Sequence, residues 1–169
     1  MSTKENATAT EFVTTRTLDA PRDVVWAAWT EEKRLARWWG PKGFTMLKAT
    51  LDLRPGGSFH YGMKNPHDGS TMWGRFAYKE IVPKERIVWH NSFSDERGGI
   101  TRAPFAEEFP LEIRNVLTLT PSGARTVLTL RGAPVDPSPA ESAFFQKMFA
   151  SMTQGFGGTW DQLATYLRS

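Results

Sequence analysis

SPAESAFFQKMFASMTQGFGGTWDQLATYLR, residues Ser138–Arg168, is the stretch that decides the fold. Apolar side chains recur in it at Phe144, Phe145, Met148, Phe149, Met152, Phe156, Trp160, Leu163 and Leu167. Steps of three and four place Phe144, Met148, Met152, Phe156, Trp160, Leu163 and Leu167 on one helical stripe. Three signals mark the start: Ser138 as N-cap, Pro139 at the first helical position and Glu141 completing a capping box. An unbroken helix of this length spans about 45 Å, and it is stable only if something long and apolar covers its stripe. Gly155, Gly157 and Gly158 fall inside the pattern, each at a cost of about 1 kcal/mol relative to Ala. They mark a bend or a close approach to a strand, or they leave room beside the helix for a ligand.

The rest of the chain supplies the cover. Glu11 to Leu18 is rich in β-branched residues and reads as a first strand. Asp19-Ala-Pro21 stops it and opens a short helix from Pro21 to Trp29. Thr30 reads as the N-cap of a second short helix that runs to about Trp39, ended by Gly40-Pro41. From Phe44 the period changes to two. Turn signals at Arg54-Pro-Gly-Gly57, His67-Asp-Gly69, Val82-Pro-Lys84 and Pro121-Ser-Gly123, with a longer loop from Ser94 to Glu108, divide the chain into strands. These run over 44–53, 57–64, 71–81, 86–93, 110–120 and 125–132, an antiparallel meander. Alternation puts Phe59, Tyr61 and Met63 on one face, with Met72, Phe76 and Tyr78. Ile87, Trp89, Asn91 and Phe93 share that side with Leu111, Ile113, Asn115, Leu117 and Leu119, and with Leu128 and Leu130. Trp73 falls on the opposite face, which calls for a bulge or a register one residue different.

Composition narrows the function. A chain of 169 residues with 40% hydrophobic and 23% charged residues forms one domain with a sizeable core. Without cysteine there are no disulfides, thiolate metal sites or thiol nucleophiles. No apolar run approaches membrane-spanning length, and the N-terminal stretch lacks the apolar core of a signal peptide, so a cytoplasmic protein is expected, with residues 1–10 disordered. The net charge of +3 is spread along the chain without a basic block, which argues against a nucleic-acid footprint. Seven tryptophans and eleven phenylalanines are an excess that suits both a core and the lining of an apolar pocket.

Several of these segments also carry a resemblance. Asp19-Ala-Pro21 with Val25-Trp26 and Trp29-Thr30, then Trp38-Trp39-Gly40-Pro41, then Arg54-Pro-Gly-Gly57, resembles the SRPBCC (START-like) superfamily. It is closer to the branch named after the activator of the ninety-kilodalton heat-shock ATPase, which includes polyketide cyclase-like bacterial proteins. Met152-Thr-Gln-Gly155-Phe156-Gly157-Gly158-Thr159-Trp160-Asp161-Gln-Leu163 is similar to that branch's C-terminal signature, with Phe156 where the family usually has Trp and Trp160 where it usually has Leu. The resemblance implies an α+β helix-grip fold over residues 11–169. In that fold a bent antiparallel sheet of about seven strands wraps a long C-terminal helix, with two short helices after the first strand. It also implies an apolar cavity between sheet and helix that binds lipids, polyketides, sterols or similar molecules. A minority of the superfamily are cyclases or hydrolases.

With such a cavity, the expected ligand-binding residues are Trp39, Phe59, Tyr61, Met63, Phe76, Tyr78, Trp89, Asn91, Asn115 and Leu117. The helix adds Met148, Met152, Gly155 and Phe156. Of Trp38 and Trp39, one is expected to be packed and the other to touch the cavity. Tyr61, Tyr78, Asn91 and Asn115 are the polar groups on the inner faces; they bond one another, backbone or water, or they orient the polar end of a ligand. His60, His67 and His90 lack ligand spacing, so no metal and no cofactor is expected. No nucleophile elbow, phosphate loop or paired carboxylate motif occurs, and no catalytic residue is assigned. Three functions follow: a carrier, sensor or sequestering protein for a small hydrophobic molecule; a cyclase or hydrolase using the same cavity; and a chaperone ATPase-modulating module. The expected partner is the small hydrophobic molecule, without nucleic acid or membrane insertion. A homodimer stays open, as does a chaperone partner, for which no residue pattern speaks.

Overall fold

A computed structural model describes residues 11–169; the expectation for residues 1–10 lies outside the described residues. The elements follow the order read above. Strand β1 (Phe12–Leu18) leads into helices α1 (Arg22–Thr30) and α2 (Glu32–Trp38). Strands β2 (Thr45–Leu51), β3 (Ser58–Lys64), β4 (Thr71–Val82) and β5 (Arg86–Ser94) come next. Then follow β6 (Ile100–Thr101), β7 (Ile113–Ser122) and β8 (Arg125–Pro134), and helices α3 (Pro139–Lys147) and α4 (Phe149–Leu167) close the chain. The strands form one open antiparallel sheet in the order β1-β8-β7-β5-β4-β3-β2. The short β6 sits within the segment expected to be loop and pairs with the end of β5 that β7 leaves free, making eight strands where about seven were expected. This is the helix-grip arrangement.

Local chemistry fixes the turns. Arg54 to Gly57 closes with a 2.7 Å bond from Gly57 N to Arg54 O, and Gly56 takes φ +87° at the third position, a conformation that favours glycine. Ser138 Oγ accepts from Glu141 N at 3.1 Å while Glu141 Oε1 accepts from Ser138 N at 2.9 Å, completing the capping box.

Three local expectations are corrected. The C-terminal helix is not continuous. At Met148 the backbone takes φ −85°, ψ −3°, and its N–H is shared between Phe144 O and Phe145 O at 3.2 and 3.1 Å, the tightening that ends α3. The buried stripe nevertheless runs on across this break through Phe145, Phe149, Met152, Phe156, Trp160 and Leu163, at steps of three and four. In α3 it is Phe145 that is fully buried, not Phe144, and it packs with Phe12 and Ile113 in a small second cluster. In α4 Trp160 and Leu163 enter the main core. Second, Thr30 does not cap α2. Its hydroxyl donates back to Trp26 O at 2.8 Å inside α1, and Glu31 takes the extended conformation before α2. Third, Trp73 needs no bulge. Register irregularities lie at Met46/Lys48 and Tyr78/Glu80, while Trp73 pairs regularly with Gly62. Its ring lies on the outer face over Gly62, where a Cβ would come within 2.6 Å of it, and stacks on His60 at 5.3 Å between centroids.

The main core is a tryptophan cluster. Trp29 touches Trp38, Trp39, Trp89 and Trp160 with ring centroids 4.8 to 6.0 Å apart, and Phe59, Phe76, Leu117 and Leu128 seal it against the sheet. Trp38 Nε1 donates to Ala28 O at 3.0 Å and Trp160 Nε1 to Thr14 Oγ1 at 3.1 Å, so these two buried indoles are satisfied. Arg16 on β1 donates to Gly157 O and Asp161 Oδ1, tying α4 to the edge of the sheet.

Candidate ligand-binding site

Between the main core and the second cluster the sheet and α4 separate, leaving a cleft of about 310 Å³. Its walls come from four places. The turn after α2 gives Trp39, Gly40 and Pro41; strands β3 and β4 give Tyr61, Met63, Met72, Trp73 and Gly74. Strand β5 gives Asn91, Ser92 and Phe93, and the helices give Met148, Met152, Gly155, Phe156 and Thr159. Phe105 and Phe109 complete the rim. The volume falls at the small end of what ligand sites use.

Each wall has a local cause. The Trp39-Gly40-Pro41 turn is held to α4 because Gly40 O accepts from Thr159 Oγ1 at 3.0 Å and from Gln162 Nε2 at 2.8 Å. At Gly158 a Cβ would make ordinary contact with Lys42 Cβ at 3.5 Å, so this approach does not require glycine. Gly155 plays the other part foreseen for these glycines, since a Cβ there would meet nothing within 4 Å. None of the three glycines is packed so closely on a strand that a Cβ is excluded, and Gly155 and Gly157 both face open space. On the sheet side, Gly74 leaves the place into which the Tyr61 ring folds, and any Cβ there would collide with the Tyr61 hydroxyl.

The structure brings Trp39, Tyr61, Met63, Asn91, Met148, Met152, Gly155 and Phe156 together at the cleft. The other expected residues, Phe59, Phe76, Tyr78, Trp89, Asn115 and Leu117, share the same inner face but belong to the packed interior. Trp38 and Trp39 divide as expected, Trp38 buried and Trp39 on the cleft. Phe105 and Phe109 were not foreseen because they stand in a loop without periodicity. Their signal was two phenylalanines four residues apart in a segment that otherwise reads as polar. Phe109 contacts Phe93, Phe105, Phe144 and Phe145, and Arg102 Nη1 donates to Phe109 O at 3.3 Å while pairing with Glu141. The rim loop is therefore anchored to α3.

The polar inventory of the cleft is short. Burial pushes the Tyr61 hydroxyl up to about 12, with Trp39 beside it pulling weakly the other way, so it stays protonated at neutral pH. The Thr159 hydroxyl is engaged with Gly40 O. Asn91 Oδ1 is buried and has no hydrogen-bond partner among the described residues. Among the described residues no group of three or more His, Asp or Glu is placed to hold a metal ion, and no helix is long and apolar enough to cross a membrane.

Comparison with known structures agrees with this architecture. The chain is similar to the solution structure of a protein from Arthrobacter aurescens, with 26% identity over 96% of this chain and 88% of that one and a TM-score of 0.76. It is also similar to a crystal structure of a protein from Nitrosomonas europaea, at 23% identity over 95% of both chains and a TM-score of 0.74. DynU16, a protein in the dynemicin biosynthetic locus, is similar over 95% of this chain and 48% of its own, at 21% identity and a TM-score of 0.65. Identities as low as the last two speak for the fold alone. No curated protein matches the chain in sequence. The sequence of residues 19–168 matches the family described as Activator of Hsp90 ATPase homolog 1-like protein, and the chain belongs to that family.

Proposed function

We propose that this protein binds a small hydrophobic molecule in the cleft between sheet and α4, as a carrier, sensor or sequestering protein. The observation that carries the reading is the cleft itself, about 310 Å³ walled by aromatic rings and methionines with few polar groups. Burial of an apolar molecule there gains roughly 25 cal/mol for each Å² removed from water. Met63, Met72, Met148 and Met152 give the wall a soft, adjustable surface.

A catalytic use of the same space finds less support. General acid–base chemistry works best with a group that titrates near the operating pH. Among the described residues the lining contains no histidine, carboxylate or amine, and Tyr61 is held protonated far above neutrality. The test is titration with an apolar fluorophore such as Nile red. One-to-one saturable binding is expected, and Met152→Trp, which fills the cleft from α4, should abolish it. A folded Met152→Trp variant that binds the dye as before would place the binding elsewhere.

A further inference from the structure

None of the described residues lining the cleft is charged, so its few polar groups decide what it can recognise. Tyr61 of β3 stands opposite Gly74 of β4, and Phe76, the next inward residue of β4, stands opposite Asn91 of β5. Tyr61, Gly74 and Asn91 all line the cleft. Because Gly74 has no side chain, the Tyr61 ring crosses β4 above it, and the hydroxyl oxygen ends 2.3 Å from where a Gly74 Cβ would lie. That carries the hydroxyl from β3 onto the strand beside Asn91.

Both groups have a donor unspent. The hydrogen-bond neighbour of the Tyr61 hydroxyl is Trp39, whose indole N–H can only donate, so among the described residues the phenol proton has no acceptor. Burial keeps that proton in place at neutral pH. Asn91 is half-buried, with its Oδ1 sealed in the interior beside the equally sealed Nε1 atoms of Trp29 and Trp89 as the unpartnered polar atoms there, among the described residues. Its Nδ2 is not among these sealed atoms, so the end of the amide that Asn91 leaves open to the cleft is the one with two N–H donors. The Thr159 hydroxyl is already spent on Gly40 O. Around the two donors the walls are flat rings: Trp39, Phe93, Phe105 and Phe156.

We infer that the cleft recognises a neutral, ring-bearing molecule with a carbonyl oxygen, which accepts from the Tyr61 O–H and the Asn91 Nδ2–H beside Gly74. The inference rests on the cleft reading above and adds the chemical class of the ligand. A carbonyl oxygen carries two lone pairs and can accept from both donors at once. A carboxylate of the same shape could accept too, but it would lose its hydration where no cation replaces it, a large cost.

The experiment is a calorimetric titration near neutral pH with three probes of one shape: acetylnaphthalene, isopropenylnaphthalene, in which a methylene replaces the carbonyl oxygen, and naphthoate. The ketone is expected to bind about tenfold tighter than the alkene, equivalent to about 1.4 kcal/mol, and at least about tenfold tighter than naphthoate. In Tyr61→Phe and in Asn91→Leu, each checked for folding by circular dichroism, the preference for ketone over alkene should fall by about threefold or more while the alkene still binds. Acetylnaphthalene labelled at its carbonyl carbon adds a readout that packing alone would not move. A hydrogen bond weakens the C=O bond, so the infrared stretch of the bound ketone should lie below its value in dry hexane and move back toward it in Tyr61→Phe. Equal affinity of ketone and alkene for the parent overturns the carbonyl requirement and leaves the cleft reading standing. Tightest binding of naphthoate overturns the neutrality, and a ketone preference that survives undiminished in either variant overturns the role of that residue. If none of the three probes binds, the cleft reading falls and the inference with it. Should a variant not fold, the parent affinities and the infrared stretch decide the ligand class on their own.

Discussion

Replacing Gly155 separates stability from binding. The residue lies inside α4, where glycine costs about 0.8–1.0 kcal/mol relative to Ala because its unfolded chain has more freedom to lose. An added Cβ meets nothing within 4 Å, so no clash offsets the gain. Gly155→Ala should therefore raise stability by about 0.8–1.0 kcal/mol, or about 2–4 °C in melting temperature for a chain of this size. Gly155→Leu should keep most of that gain, because the larger side chain enters the cleft, not packed protein. It should also weaken binding of an apolar fluorophore by about tenfold or more, since the isobutyl group occupies space the ligand needs. Urea denaturation and dye titration of the same three proteins provide the assay. Two results would refute the reasoning. A loss of stability in Gly155→Ala would mean that the helix at this point is strained or packed. Unchanged dye affinity in a stable Gly155→Leu would mean that the cleft beside Gly155 is not the binding site.

Three further outcomes are expected. Phe156 is half-buried and stacks on Phe12 and Trp160 with centroids 5.8 and 5.4 Å away, so Phe156→Ala should cost about 2 kcal/mol in urea denaturation, below the about 3–5 kcal/mol of a fully buried ring; a change under about 0.5 kcal/mol would show that this ring does not grip the helix. Burial holds the Tyr61 hydroxyl at about 12 against 10 when unfolded, so the unfolded state loses its proton first, and stability should fall as pH rises from about 10 to 12. Tyr61→Phe should flatten that part of the pH–stability curve. His90 is held below its ordinary value of 6.5 by burial, then by Lys79, with Glu112 opposing, so its contribution is complete above about 6.5 and is lost as the pH falls below it. His90→Gln should reduce the acid-side slope in the same measurement, and an unchanged slope would show that His90 is not the group responsible.

What the sequence disclosed was whatever local chemistry or strict alternation controls. Ser138, Pro139 and Glu141 specify a helix start through their own hydrogen bonds, and the structure keeps it. Alternation even placed Trp73 on the outer face, where it lies; the missing piece was that Gly62 leaves room for its ring. The break at Met148 has no Pro or Gly to announce it. The apolar pattern does not announce it either, because Phe145, Phe149, Met152, Phe156, Trp160 and Leu163 keep steps of three and four across it. Thr30 misled because a hydroxyl at a helix–helix junction can serve either helix, and here the Trp26 carbonyl claims it. The cleft was half legible for a similar reason. Phe59, Phe76 and Trp89 carry the same alternation signal as Tyr61 and Asn91, and only the distance to α4 decides which of them pack and which line open space.

That distance explains why a cleft exists at all. The inner face of the sheet serves two apolar clusters, one closed by Trp160 and Leu163 of α4, the other by Phe145 of α3 together with Phe149, Met152 and Phe156 of α4. One helical stripe reaches both, and the seam between them is left to residues that fill space loosely. Met148 and Met152 are flexible, Gly155 has no side chain, and Gly74 and Asn91 opposite are small or polar. Among the described residues Phe156 alone bridges the seam, packing against both clusters. The cavity is thus the geometric remainder between two clusters on one sheet. Filling it from Gly155 should stabilise the fold, and deepening it at Phe156 should weaken the fold. That opposition is expected of a site where room for a ligand has been kept at the expense of packing.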